Sequence, residues 1–344
     1  MVNVFGFTLL RNGVKYDYTF EECLTCLSEL CQKTYLALGD CDDATPEVVR
    51  QIPNIQIKDT IWNMNNREGG IVLSEQTNEA LNFARLNEKH TPNAWGIYLQ
   101  CDEIFHEDDY KLILDDLKKA HEQGCDVVSF RYLHFWQSHH KLAINKKWYP
   151  QEIRAVKLDS KIESWGDAQS FRNYNKVYQS EARVFHYGHV REEDAYKSKK
   201  TDILKMYHSD EKLPKYKKRE KKFDNQTICL DYWGPHPKLM HDRIEKLGEK
   251  VFTNEVENLV IKDSTSILSK EFVQKIKAKN VRLIKKTSQR PSEEHIFLDL
   301  NPGILGRIFN SSKVPEKMYS KIALPWNQEF KTTLLLSEKN ISVC

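Results

Sequence analysis

No run of eighteen uninterrupted apolar residues occurs anywhere in the chain, and this excludes a membrane-spanning helix. The opening, MVNVFGFTLLRNG, lacks a positive leading region, a long apolar stretch and a small-residue cleavage site, so no secretory signal is expected. Glycine and proline are scarce, 13 and 11 in 344 residues, which rules out collagen-like and low-complexity chains. A large charge of one sign is also missing, since the formal net charge is only +3. What remains is a globular composition, 40% hydrophobic and 29% charged. The length is roughly two typical domains.

The small net charge conceals an uneven distribution. Residues 212–222 (KLPKYKKREKK) hold seven Lys/Arg against one Glu, a local +6, so the rest of the chain sums to −3. A nucleic-acid binder spreads its basic residues over a whole face, and none is expected here. The run reads either as a solvated loop or as a segment docking onto anionic lipid or a phosphate-bearing acceptor.

Of the eight cysteines, Cys23, Cys26 and Cys31 resemble the start of a metal or redox motif. No second CxxC or paired histidine completes a ligand set nearby. Residues 23, 26, 27, 30 and 31 fall on one face of an amphipathic helix, where Cys packs as a small hydrophobe. Free thiols in this number imply a reducing, cytoplasmic location.

Short apolar runs alternate with helical periodicity through the first half, the pattern of a βα-alternating domain. Strands are predicted over 2–10, 35–39, 55–62 and 94–103, and helices over 20–33, 45–51, 74–86 and 107–123. Thr45 and Pro46 fit the N-cap and first position of the second helix. Residues 125–136, 148–158 and 177–187 read as further strands rich in β-branched and aromatic residues, so the sheet begins parallel and finishes mixed. A restart of the pattern after about 245 predicts a small α/β appendix over 246–344, beyond a main domain of 1–245.

In open α/β sheets ligands bind beyond the carboxyl ends of the strands. Here those ends are acidic: Asp40-Cys41-Asp42-Asp43 after one strand and Gln100-Cys101-Asp102-Glu103 after another. Two such ends in one sheet suit a hard cation that takes phosphate oxygens as its remaining ligands.

The ordered series VNVFGFTLLRN, GDCDDAT and YLQCDE resembles the GT-A fold glycosyltransferases of the inverting family-two group, which use nucleotide-sugar donors. Gly70, Gln76 and Asn78 resemble the stretch between the last two. RYLHFW, SWGDAQSFR, VFHYGHVR and HPKLMHDRI extend the likeness, to a bacterial subgroup, as far as residue 245. The departure is Gln100, where many members carry an acid. The implied fold is a Rossmann-like mixed sheet flanked by helices.

That resemblance also implies roles. Asp40 would contact the donor's base or ribose, Thr8, Leu9 and Arg11 would line the nucleotide cleft, and Asp42 and Gln76 would lie on the donor side. Asp102 would hold manganese or magnesium; Glu103 would either assist or orient its neighbours, and His186 would be either a further metal or phosphate ligand or a structural residue. Arg67 and Arg191 are candidates for pairing with phosphate oxygens, and equally for structural arginines. Asp167 would be the general base that takes the acceptor hydroxyl's proton, the alternative being a helix cap. Trp165 would stack on a sugar face or fill the core. Tyr132, His134, His189 and Arg191 are further acceptor-side candidates.

The expected function is transfer of a sugar from a nucleoside-diphosphate donor to a glycan or glycolipid acceptor. The alternatives are a sugar nucleotidyltransferase, for which the Gly-rich phosphate loop is missing at Arg11-Asn12-Gly13, and a non-catalytic glycan- or nucleotide-binding module.

Overall fold

A computed structural model of the chain describes residues 2–66, 68–143, 148–191, 202, 211, 213, 215, 227–232, 235–249 and 251, and the backbone of 282–287, 294–299 and 341–343. The basic run 212–222 and the expected appendix 246–344 therefore lie almost wholly outside the described residues, as does Arg67. By internal contacts the chain forms two compact units. The first comprises 1–132, 151–218 and 237–240; the second comprises 133–150, 219–236 and 241–344.

The first unit opens with β1 (Asn3–Leu10), α1 (Phe20–Leu30), β2 (Thr34–Leu38), α2 (Thr45–Val49) and β3 (Ile55–Asp59). Then come α3 (Ile71–Asn87), β4 (Ala94–Tyr98), β5 (Glu103–Phe105), α4 (Tyr110–Glu122) and β6 (Val127–Trp136), whose residues from Leu133 on are counted in the second unit. β1 lies between β2 and β4, parallel to both, and β3 is parallel to β2. β8 (Gln151–Lys157) runs antiparallel between β4 and β6, and β11 (Val177–His189) is antiparallel to β5. This is the mixed sheet, parallel at first, that the sequence implies.

Both faces of β1, β2 and β4 are covered, which is why they read as nearly continuous apolar runs, whereas the edge strand β3 is only partly covered. Phe5, Phe7, Tyr35, Ala37 and Tyr98 pack with Ala80, Leu81 and Ala84 of α3. Alternate residues, Leu10, Leu36 and Leu38, pack with Phe20 and Leu24 of α1 and Val49 of α2. The period-2 alternation of a strand sends each set to its own helix. Cys23, Cys26 and Cys31 are free and buried on this α1 side. Burial holds the Cys26 thiol up at about 11, so it packs as an apolar group and not as a thiolate.

Several boundaries differ from expectation. Thr45 is not the N-cap of α2: Ala44 is, while the Thr45 hydroxyl accepts the Val14 N–H at 3.0 Å. α3 begins at Ile71, preceded by Gly69 and Gly70 at φ 70° and 76°, a left-handed backbone that favours glycine. The run 94–103 breaks at Tyr98, because the Glu103 carboxylate accepts the Gln100 N–H at 3.0 Å and closes a turn.

In the second unit, β7 (Lys141–Ala143) is antiparallel to β12 (Ile228–Asp231), which is antiparallel to β15 (Ile341–Val343). Trp136, Ala143, Trp148 and Cys229 form its described apolar cluster. α5 (His241–Lys246) leads to Glu249, whose Oε2 lies 2.6 Å from Nδ1 of buried His139. β13 (Arg282–Thr287) and β14 (Glu294–Asp299) form an antiparallel pair.

Candidate functional site

Three parallel strands, β2, β1 and β4, end on one edge of the first unit, and the loops that leave them carry the polar residues. After β1, Arg11 donates to Asp40 after β2, from its Nη2 to Oδ2 at 3.1 Å and from Nε to the carbonyl at 3.2 Å. The Trp62 N–H donates to the other Asp40 oxygen at 3.1 Å, and the Arg11 guanidinium lies 5.6 Å from the Trp62 ring centroid. A Cβ on Gly39 would meet Nε1 of Trp62 at 2.4 Å, so glycine is what lets the indole close over this loop. Asp42 faces solvent and accepts from Nζ of Lys15 at 2.8 Å, a bond that holds its carboxyl below the usual range.

Thr8 is buried, with its hydroxyl donating to the Leu99 carbonyl and 3.6 Å from the Cys101 sulfur. It joins β1 to the end of β4 and does not line an open cleft, correcting the expected role; Leu9, one residue on, is half-buried. Gln76 is likewise buried, its amide donating to the Ile61 carbonyl at 3.4 Å, so it braces the loop beside Trp62 instead of facing a donor.

The turn after β4 separates two adjacent acids. Glu103 is fully buried and cannot serve as the assisting metal ligand. Its oxygens accept from Nε and Nη2 of Arg154, both at 2.8 Å, from the Tyr132 hydroxyl at 2.8 Å and from the Gln100 N–H. These donors occupy the four lone-pair positions of the carboxylate. Tyr132 is thereby part of the Glu103 clasp and not an acceptor-side group.

Asp102 is placed differently. The β5–β11 ladder pairs Glu103 with His186, and the Tyr187 N–H donates to the Asp102 carbonyl at 2.8 Å, so the end of β11 is laid against this turn. Nε2 of His186 stands 3.8 Å from Asp102 Oδ1. That is too long for a hydrogen bond, but within the span of two ligands sharing a small cation at about 2.1 Å from each. Of the two, the carboxylate is the oxygen ligand that a hard cation such as manganese or magnesium takes, whereas an imidazole is more typical of softer first-row metals. Among the described residues no three His, Cys, Asp or Glu side chains form a complete ligand set. A cation held by this pair would need further oxygen ligands from outside it.

Arg191 stands 3.7 Å from the other Asp102 oxygen. Its Nη1 and Nη2 donate to the carbonyls of Tyr16 and Gly188, both at 2.7 Å, and its guanidinium sits 4.9 Å from the Tyr18 ring centroid. With both Nη atoms bonded to the backbone and its side chain buried, Arg191 is a fixed counter-charge for Asp102, not an acceptor-side residue. The His189 ring lies 5.9 Å from that of His186 at the end of β11. His134 belongs to the second unit, where its Nε2 lies 2.7 Å from the Tyr149 carbonyl.

Asp167 lies half-buried in the turn between β9 (Glu163–Trp165) and β10 (Ser170–Arg172), not at a helix end. Three side chains hold this turn. Ser74 donates to the Gly166 carbonyl at 2.8 Å, Gln100 Nε2 to that of Ala168 at 3.4 Å, and Arg154 Nη1 to that of Gln169 at 2.8 Å. Gln100 therefore has its own logic: an acid there has no donor for the Ala168 carbonyl. Trp165 is 51% exposed, so it is no core residue.

Sequence reasoning missed Trp62, Arg154 and Gly188. A Cβ at Gly188 would lie 2.6 Å from His186 Nε2 and 2.9 Å from Asp102 Oδ2. The glycine within FHYGHVR was the available signal.

Neither a family model nor a curated protein sequence matches the chain. Among solved structures, TarS from S. aureus aligns over 59% of this chain and 39% of its own length, at 12% identity and a TM-score of 0.36. S. aureus TarS 1–349 in complex with UDP aligns over 60% of this chain and 65% of its own, at 11% identity and 0.35. A 4-diphosphocytidyl-2C-methyl-D-erythritol synthase from Anaerococcus prevotii aligns over 58% and 96%, at 13% identity and 0.30. The chain thus spans less than two thirds of the length of either TarS structure.

Proposed function

We propose that the chain is an inverting glycosyltransferase that moves a sugar from a nucleoside-diphosphate donor onto a hydroxyl of a glycan or glycolipid. The observation that carries this reading is the gathering of three chemically distinct groups at one sheet edge. Asp40 with Arg11 lies at the end of β2, Asp102 with His186 at the end of β4, and the Asp167 turn is bonded to Gln100 beside them.

The nucleoside lies over Asp40, Leu9 and Arg11 in this reading. Manganese or magnesium would be held by Asp102 and His186, and when bound it would neutralise the diphosphate leaving group. Asp167 takes the proton from the acceptor hydroxyl as that oxygen bonds to the anomeric carbon and the bond to the diphosphate breaks. Trp165 offers an exposed indole face to the acceptor sugar. Among the described residues no helix is long and apolar enough to cross a membrane. Peripheral contact with an anionic leaflet through 212–222 is part of the proposal, and neutralising Lys217, Lys218, Lys221 and Lys222 should abolish liposome association.

The deciding experiment screens nucleotide sugars by thermal shift with manganese present, then adds acceptor and measures the product released. Nucleoside diphosphate supports transfer. A parallel assay with nucleoside triphosphate and sugar 1-phosphate would identify a nucleotidyltransferase by the pyrophosphate it releases, and no release in either assay would leave a binding module.

A further inference from the structure

Arg154 is the feature the transfer chemistry does not account for. It is fully buried in β8 among apolar neighbours, and it sits at an irregularity of the sheet. Val128 pairs with Ala155 and the next residue, Ser129, pairs with Ile153, so Arg154 is the extra residue of a β-bulge. A bulge bends a strand and re-aims a side chain, and bulges concentrate beside active sites.

The re-aimed guanidinium is gripped from every side. Its flat faces lie near the rings of Tyr98 and Tyr132, with 5.2 Å to each centroid. Nε and Nη2 take both oxygens of Glu103, and Nη1 donates to the carbonyls of Ile153 and Gln169, both at 2.8 Å. Glu103 in turn holds the Gln100 N–H, so the same ion pair closes the turn that presents Asp102. One side chain therefore ties the Asp102 turn to the Asp167 turn. A lysine cannot do this, because a point charge on a flexible stem has no fork to divide between two partners.

We propose that Arg154 is a positioning residue that fixes the carboxylate of Asp167 relative to Asp102, and so sets the distance between proton acceptor and leaving group. It touches no reacting atom and acts through Glu103 and the Gln169 carbonyl. Its kinetic consequence rests on the transfer reading above; its structural consequence does not.

The test uses the full chain and two variants. R154K keeps a charge beside Glu103 but gives up the fork. The double variant R154M/E103M removes the buried pair together, a replacement that well-packed apolar groups commonly tolerate. The first readout is hydrogen exchange at the Ala168 amide, which donates to the Trp165 carbonyl at 3.2 Å. Exchange there should quicken at least tenfold in both variants, while amides of β1 and β2 keep their wild-type protection. The second is kinetic: kcat should fall on the order of 10²-fold, the scale of a misplacement of about 1 Å, with donor KM within about threefold of wild type. A residue that merely stabilised the fold would lower protection in β1 and β2 along with that at Ala168, and would leave the split between kcat and KM unchanged.

Unchanged exchange at Ala168 overturns the proposal whatever the donor is. Faster exchange with unchanged kcat overturns the positioning role. If the wild-type chain transfers no sugar at all, the transfer reading fails by itself, and the exchange measurement still decides whether Arg154 holds the turn.

Discussion

The loop after β2 and the loop after β4 look alike in sequence, each a short strand end crowded with acids and carrying a cysteine. In the structure they are opposites. Asp40 and Asp42 have side chains 44% and 63% exposed and are met by long, flexible bases, Arg11 and Lys15. Asp102 and Glu103 are 9% and 0% exposed and are met by Arg191 and Arg154, whose own side chains are buried. An exposed acid keeps its charge through water and can exchange partners cheaply. A buried one persists only beside a counter-charge held in place by further bonds. The first loop is suited to contacts that come and go, the second to holding an arrangement.

The largest expected effect falls on the turn that the second loop holds. Asp167→Asn should lower turnover by about 10²- to 10⁴-fold with donor binding retained, as measured by steady-state kinetics and calorimetry; near-normal turnover would remove Asp167 from its role. Next is the buried pair. Glu103→Leu leaves Arg154 as an uncompensated buried charge and should cost about 3–5 kcal/mol in chemical denaturation, whereas a loss below about 1 kcal/mol would place Glu103 with the exposed acids.

Gly188→Ala tests the close contact at Asp102. The added methyl must push His186 or Asp102 aside, and affinity for nucleoside diphosphate in manganese should drop about tenfold, equivalent to about 1.4 kcal/mol. Affinity unchanged with and without manganese would count against the cation site itself. The smallest effect belongs to the exposed loop. The hydrogen bond from Lys15 lowers the folded-state pKa of Asp42, so its contribution is present above the unfolded carboxyl value and is lost as pH falls through the lowered one. Solvent screening keeps that contribution under about 1 kcal/mol. Asp42→Asn should thus barely alter stability near neutral pH, and should flatten the acid limb of the stability profile only slightly.

The parallel core was legible because strands buried on both faces have few polar residues to interrupt them, Thr8 and Thr34 among them, and α1 and α3 carry clear helical spacing. The acids at the strand ends were legible as well, since they end apolar runs abruptly. Their division of labour was not. Nothing adjacent in sequence distinguishes Asp102 from Glu103; the difference is made by Arg154, some fifty positions away, and by a bulge in QEIRAVK that contains neither glycine nor proline. Arg191 and Tyr132 were misplaced for a related reason: a long polar side chain in a strand, or just past its end, gives no sign of the backbone carbonyl or carboxylate that will claim it. Ser74 was read as a helix start, but its hydroxyl bonds to the carbonyls of Ile71 and Gly166. Such long-range partners become visible only once the sheet is assembled.

Asp167 stands between Gly166 at φ 61° and Ala168 at φ 62°. A left-handed backbone is easy for glycine, but costs an alanine roughly 1–2 kcal/mol. The strain at Ala168 is sustained by the bonds that Gln100, Arg154 and Ser74 make to this turn, and a segment constrained in this way has little freedom to reshape itself around a guest. The turn that carries the Asp167 carboxylate is shaped by these bonds. If the proposed transfer holds, selectivity at this edge is a matter of which molecule already has the matching shape, and the tightness of the turn sets how narrow that choice is.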